Sequence, residues 1–383
     1  MSLVAETSLH AGIPRSSSFS SPMLKCSTSS PTSPPTAGPT KHEEFWLYDG
    51  SIVLAIENTL FRVHQTILAN HSEVFADLFT VPQPEGEDLI DGCHVVHLYG
   101  DSEKDFADLL RAMYHPEYVS PRLWDTECYL IFRSRHFDNL SPTADFDTLM
   151  TFISGILRLS TKYMIRYLRQ RCISLFLTKL PTSFESYEAK ARATASSTSP
   201  LLSPSNARDR YRSDTVMRAI RLAQENDIYE ALPYAYYCVS RFPHKRLLKE
   251  RPGDISWKDK AICLVGRERL HWAQMGMSYS FLLVFQRSPV CQNLLCAHAR
   301  GPHAEWHLLE NDRSPHPLRE YDRWDSLNVC ADCVAYCQVR HLEGRKDVWK
   351  YLPTLFELPP WEELRGMQNA QGLNVNITNG TTG

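Results

Sequence analysis

Residues 49–79, DGSIVLAIENTLFRVHQTILANHSEVFADLF, change hydrophobic period partway along, and that change limits the folds open to the chain. Residues 52–56 are a short apolar, β-branched run, the pattern of a strand. Glu57 and Asn58 supply a tight turn, with Asn58 the residue expected to take the left-handed backbone. Residues 60–63 then return as the second strand of a hairpin. Beyond them the apolar positions Ile67, Leu68, Val74, Phe75, Leu78 and Phe79 stand three or four apart, as on buried helix faces. Asn70 and Ser72 fall between the two helical pieces, where caps belong. A hairpin running directly into two short helices predicts an α+β domain.

The same residues resemble the opening of the BTB/POZ domain, an interaction module. The resemblance rests on Asp49, Ile52-Val53-Leu54, Phe61-Arg62-Val63-His64, Leu68-Ala69, and then Ser72, Phe75, Leu78 and Phe79, in that order. Further on, residues 93–98 read as a third strand and Ser102-x-x-Asp105 as a helix start. Phe106, Leu109, Leu110 and Met113 line one face of that helix, and Tyr114-His115-Pro116 closes it. Residues 116–145 depart from the family pattern as an insertion, in which TECYLIFRSRHF reads as an extra strand. The pattern resumes at Phe146, with Leu149, Ile153, Ile156 and Leu157 on one helix face and LRLSTKYMIRYLRQRC as a closing pair of helices. The resemblance covers residues 44–180. It implies a short mixed sheet flanked by helices.

The rest of the chain divides by composition. Residues 1–43 are rich in Ser, Thr and Pro and are expected to be disordered, because such a segment buries too little apolar area to offset its ordering entropy. Residues 181–210, containing ARATASSTSPLLSPSNAR, read as a flexible linker. Residues 211–365 read as mainly helical. Val216, Ile220 and Ala223 form one buried stripe, and Ile228, Ala231 and Leu232 another. Pro233 falls at a break or a first turn. Ser256-x-x-Asp259 starts a long helix that is expected to run to about residue 286. Residues 366–383 read as a disordered tail. The full arrangement, down to the closing Leu-Pro-x-x-Phe-x-Leu-Pro-x-Trp, resembles BTB proteins of mushroom-forming fungi.

Composition narrows the function. A formal net charge of −3 over 383 residues gives no electrostatic case for direct nucleic-acid binding. No apolar run approaches the roughly 18 residues of a membrane span, and the first residues lack the compact apolar core of a signal peptide. Eleven cysteines, an odd number scattered along a long chain, argue for a reducing compartment, cytoplasmic or nuclear. The basic residues Lys245, Arg246, Lys249 and Arg251 read either as a nuclear signal or as a solvated helix face. Dinucleotide, P-loop, nucleophile-elbow and His-Glu-x-x-His motifs are all missing from the sequence, so no enzymatic chemistry is expected.

One constellation carries chemistry. Cys291-x4-Cys296 is followed by Cys330-x2-Cys333, then by Cys337 and His341. A C-x-x-C turn aims two sulfurs at one ion, and zinc takes four such ligands tetrahedrally. A structural zinc on Cys291, Cys296, Cys330 and Cys333 is one reading, with Cys337 or His341 as replacement ligands and His298, His303 and His307 as competitors. Reduced cysteines packed as small apolar groups are the other.

The resemblance implies protein partners, a homodimer formed through the BTB helices, and a role as substrate adaptor on a cullin scaffold of a ubiquitin ligase. A transcriptional or chromatin regulator without its own DNA-binding motif is the alternative. The resemblance marks Asp49, His64, Phe75 and Phe79 as interaction-module residues. His64, a lone histidine, is read as making a structural hydrogen bond. The basic residue that often follows the Val-His pair in family dimers is replaced by Gln65.

Overall fold

The computed structural model describes residues 38–81, 89–114, 146–197, 211–310 and 314–370. Four strands, β1 (Thr40–Trp46), β2 (Ile52–Ile56), β3 (Thr59–Val63) and β4 (Val95–Leu98), form one mixed sheet in the order β1-β3-β2-β4. β2 and β3 are the antiparallel hairpin, pairing Ile52 with Val63 and Ile56 with Thr59. β1 joins β3 and β4 joins β2, both in parallel. Glu57, not Asn58, takes the left-handed conformation in the hairpin turn, at φ 52°.

β2 is apolar throughout, as a strand covered on both faces must be. Ile52, Leu54, Ile56, Phe61 and Val63 enter the main core, while Val53 and Leu60 pack with Cys93 in a smaller cluster on the other face. Helices α1 (Gln65–His71) and α2 (Glu73–Thr80) follow, then α3 (Glu103–Tyr114), α4 (Phe146–Lys162) and α5 (Arg166–Lys179). Ser72 caps α2 by accepting the Phe75 N–H at 3.0 Å, and its own hydroxyl donates to the Tyr163 carbonyl at 2.5 Å. One side chain therefore starts a helix and ties it to a turn 91 residues away.

Two boundaries differ from expectation. β1, which begins at Thr40, reaches into the tail expected over residues 1–43. Five of its seven residues are polar, and only Phe45 is buried. Backbone pairing with β3 holds it, an interaction that composition does not register. Within the expected linker, Phe184–Ser197 is a helix, α6. Phe184 and Tyr187 are buried against Trp349, and Tyr187 also against Tyr234. Glu188 pairs with the buried guanidinium of Arg345. The whole of the insertion expected over 116–145, with its extra strand, lies outside the described residues, as do residues 1–37, 82–88, 198–210 and 371–383.

The helical region consists of α7 (Ser213–Glu225), α8 (Leu232–Ser240), α9 (His244–Leu248), α10 (Trp257–Ala273), α11 (Ser280–Leu283), α12 (Gly301–Glu310), α13 (Ala331–Leu355) and α14 (Trp361–Ala370), with short 3-10 turns between several of them. Every one of the nine residues of α8 is buried. Pro233 sits in its first turn, where its missing N–H costs nothing. Ser256 caps α10, accepting the Asp259 N–H at 3.1 Å and donating to the Asp259 carboxylate at 2.5 Å.

The helical run expected to reach residue 286 is interrupted. A π-turn at Gln274–Ser278 ends α10, and α13 presses on it at Gly344. A Cβ at position 344 would lie 2.4 Å from the Met277 carbonyl oxygen, so only glycine permits this approach.

The helical region shares one continuous core with the sheet and helices of the first half, running from Phe45 to Leu364. Residues 211–226 form the seam. Tyr211 packs on Phe146 with ring centroids 4.7 Å apart, and Thr215 donates to Asp147 at 2.8 Å. Arg169 donates to the Asn226 carbonyl at 2.7 Å. The face of α4 and α5 that the first half leaves uncovered is thus buried by α7.

Candidate metal centre and interaction face

Residues 283–300 connect α11 to α12 with almost no apolar anchorage. Among them only Ser288 and Cys296 are buried, while Val290, Leu294 and Leu295 are 70–80 % exposed. The order of this loop comes from short-range turns and from sulfur. The Asn293 side chain accepts the Leu295 N–H at 2.9 Å, and the Cys296 N–H reaches the Asn293 carbonyl at 3.2 Å. Cys296 closes this turn. Cys330 is the N-cap of α13, and Cys333 lies in its first turn.

Across 39 positions of sequence the two pairs converge. The sulfurs of Cys291, Cys296, Cys330 and Cys333 all lie within 4.8 Å of one another, and Cys291 and Cys330 are 3.5 Å apart. Backbone N–H groups point at them, from Cys330 to Cys296 at 3.3 Å and from Ser288 to Cys333 at 3.4 Å. The Cys333 N–H, together with hydrogen bonds from neighbouring thiols, holds the Cys330 thiol down at about 7. Burial, reinforced by the adjacent sulfurs, pushes Cys333 up to about 12. Ionising all four sulfurs together would need a cation among them. Ligands of a tetrahedral zinc, each about 2.3 Å from the ion, stand about 3.8 Å apart, so the quartet can hold a metal.

The replacement ligands Cys337 and His341 are committed elsewhere, and His298, His303 and His307 are exposed and outside the cluster. Cys337 is buried among Tyr279, Phe281 and Trp306. Both nitrogens of His341 are engaged: Nδ1 lies 2.6 Å from the Ser278 carbonyl, and Nε2 accepts the Tyr321 N–H at 3.0 Å. Burial lowers the His341 pKa to about 4, which keeps the ring neutral in this role. It latches the π-turn to α13 rather than serving a metal.

In the first half, Asp49, His64 and Tyr114 form a chain. The Tyr114 hydroxyl accepts the His64 backbone N–H at 2.8 Å and lies 3.0 Å from Nδ1. With Nδ1 accepting the Tyr114 proton, Nε2 carries the hydrogen and faces the Asp49 carboxylate at 3.2 Å. The His64 hydrogen bond holds the Asp49 carboxyl below its ordinary range. His64 thus fixes the junction of β3 and α1 and leaves Asp49 half-exposed at the surface.

Phe75 is fully buried, stacked on Tyr163 at 4.4 Å, and so cannot itself meet a partner. Phe79 is half-buried beside it, with centroids 5.9 Å apart. The most exposed aromatic residues near the sheet are Tyr48, 90 % exposed, and Tyr99, 81 % exposed, at the ends of strands. Their signal in the sequence is only that each is an aromatic adjoining a turn. In the basic cluster, Arg246 is clamped by Asp214 and Asp254 and Arg251 also faces Asp214, so half of its charge is neutralised within the fold.

The first half is thus a small mixed sheet covered by short helices and closed by the latch of Asp49, His64 and Tyr114. Residues 49–141 match the family model of the BTB/POZ domain. The chain therefore carries a BTB/POZ domain followed by a largely helical C-terminal region. No curated protein and no solved structure matches it.

Proposed function

We propose that this is a non-enzymatic adaptor that self-associates through its BTB domain and presents its helical region to a protein partner. The continuous core from Phe45 to Leu364 carries this reading. With Tyr211, Thr215 and Asn226 locked onto α4 and α5, the BTB domain and the helical region hold a fixed relation. An adaptor uses such an arrangement to keep one bound protein at a set distance from another. A cullin scaffold of a ubiquitin ligase is the partner proposed for the BTB side. A transcriptional or chromatin role is the second reading, and the neutralised charge of the Arg246 cluster weakens its nuclear-signal support.

Crosslinking and affinity purification of the full chain from its native cell tests this choice. Specific recovery of a cullin is expected, and recovery of chromatin factors in its place would favour the second reading. Light scattering tests self-association separately: a monomer at tens of micromolar would remove that part of the proposal.

The four-cysteine centre is proposed to hold one structural zinc. Residues 283–300 bury two side chains only, so a metal cross-link supplies the order that apolar packing does not. A closed thiolate site has no position left for a reactive water, so its role is to hold the loop against α13. Elemental analysis should give about one zinc per chain, lost in the Cys330→Ser/Cys333→Ser protein. Less than about 0.2 zinc per chain in unchelated wild type would end this assignment.

A further inference from the structure

Helix α12 (Gly301–Glu310) carries two histidines one turn apart, on the side away from the core. The helix is a fixed platform. Gly301 lies so close to the preceding turn of α13 that a Cβ there would stand 2.1 Å from the Leu327 carbonyl oxygen. Trp306 is buried in the aromatic cluster with Tyr279, Phe281 and Tyr321. Glu305, also buried, is turned inward and paired with Arg323 at 2.7 Å. On the opposite face His303 and His307 are exposed, and their Nε2 atoms lie 2.9 Å apart, with ring centroids at 4.3 Å and planes at 73°.

We propose that His303 and His307 clamp a borderline divalent transition ion, Ni2+ or Cu2+, at a second site separate from the four cysteines. An i, i+4 spacing puts two side chains on one helical face, and neutral imidazole suits these ions. Two nitrogens each about 2.0–2.1 Å from one ion and at about a right angle are about 2.9 Å apart, which is the separation found here. The same geometry also suits a single N–H···N bond between the rings. Metal binding gives that bond up. Both rings then carry their proton on Nδ1 and direct an Nε2 lone pair at the ion.

No further His, Cys, Asp or Glu ligand joins the pair among the described residues.

Calorimetric titration of the full-length, zinc-loaded protein with Ni2+ tests the proposal. Wild type should show one saturable site, and the His298→Ala control should match it. His303→Ala and His307→Ala should each weaken binding about tenfold or more, because each removes the second, intramolecular ligand. Zinc content and helicity should match wild type in both. If an alanine variant loses helicity, His307→Gln carries the same test. Wild-type affinity in the single variants, or no saturable binding in wild type, overturns the assignment and leaves the pair as a hydrogen bond.

Discussion

Phe75→Ala removes the side chain on which the junction of sheet and helices closes. Phe75 is fully buried, lies against Tyr163 at 4.4 Å and Phe79 at 5.9 Å, and follows the Ser72 cap. Burying a phenylalanine contributes about 1.5–3 kcal/mol, and each aromatic pair adds about 0.5–1.5 kcal/mol beyond its area. Tyr163 is held from the other side by Asp101, so the cavity cannot readily collapse. A loss of about 3–5 kcal/mol is expected, a large part of a stability of about 5–15 kcal/mol. Phe79→Ala, at a half-buried position, should cost less than half as much. The assay is urea denaturation followed by both far-UV ellipticity and tryptophan fluorescence. The stacked pair Trp349 and Trp361 lies in the helical region, far along the chain from residue 75. Because both halves share one core, the fluorescence midpoint should fall together with the ellipticity midpoint. A loss below about 1 kcal/mol would refute the burial argument. A fluorescence midpoint that stays put while ellipticity shifts would refute the shared core.

Asp254→Ala leaves Lys260, 2 % exposed, without its carboxylate partner and should cost about 3–5 kcal/mol in the same assay. In wild type, hydrogen bonds from Arg246 first and then Lys260 hold Asp254 down at about 2 against the opposing effect of burial. Its folded pKa is thus below its ordinary value, so its contribution is complete above about pH 4 and should fade between pH 4 and 2. A urea midpoint that is flat over that window would contradict this. Gly344→Ala forces α13 away from the π-turn and should lower stability by about 1–3 kcal/mol, measured as a fall in melting temperature. Chelation with EDTA should expose residues 283–300 to limited proteolysis while the core from Phe45 to Leu364 stays resistant, and an unchanged digestion pattern would argue against a metal cross-link there.

The sequence alone determined the features that depend on neighbouring residues. The period change after His64 specified a hairpin running into helices. Ser72 and Ser256 were legible as caps, because a cap is a contact between residues three apart. The spacing of Cys291, Cys296, Cys330 and Cys333 showed which sulfurs could share an ion.

Tertiary structure decided what depends on distant partners. β1 is a strand although its side chains are mostly polar, because β3 supplies its backbone hydrogen bonds. Residues 184–197 are a helix rather than a linker, because Trp349 and Arg345, more than 150 positions away, bury Phe184 and Tyr187 and pair with Glu188. His341 is a latch and not a ligand, because Ser278 and Tyr321 occupy its nitrogens. Periodicity and capping follow from local covalent geometry, whereas backbone pairing, ligand choice and burial depend on which remote groups the folded chain brings within a few ångströms.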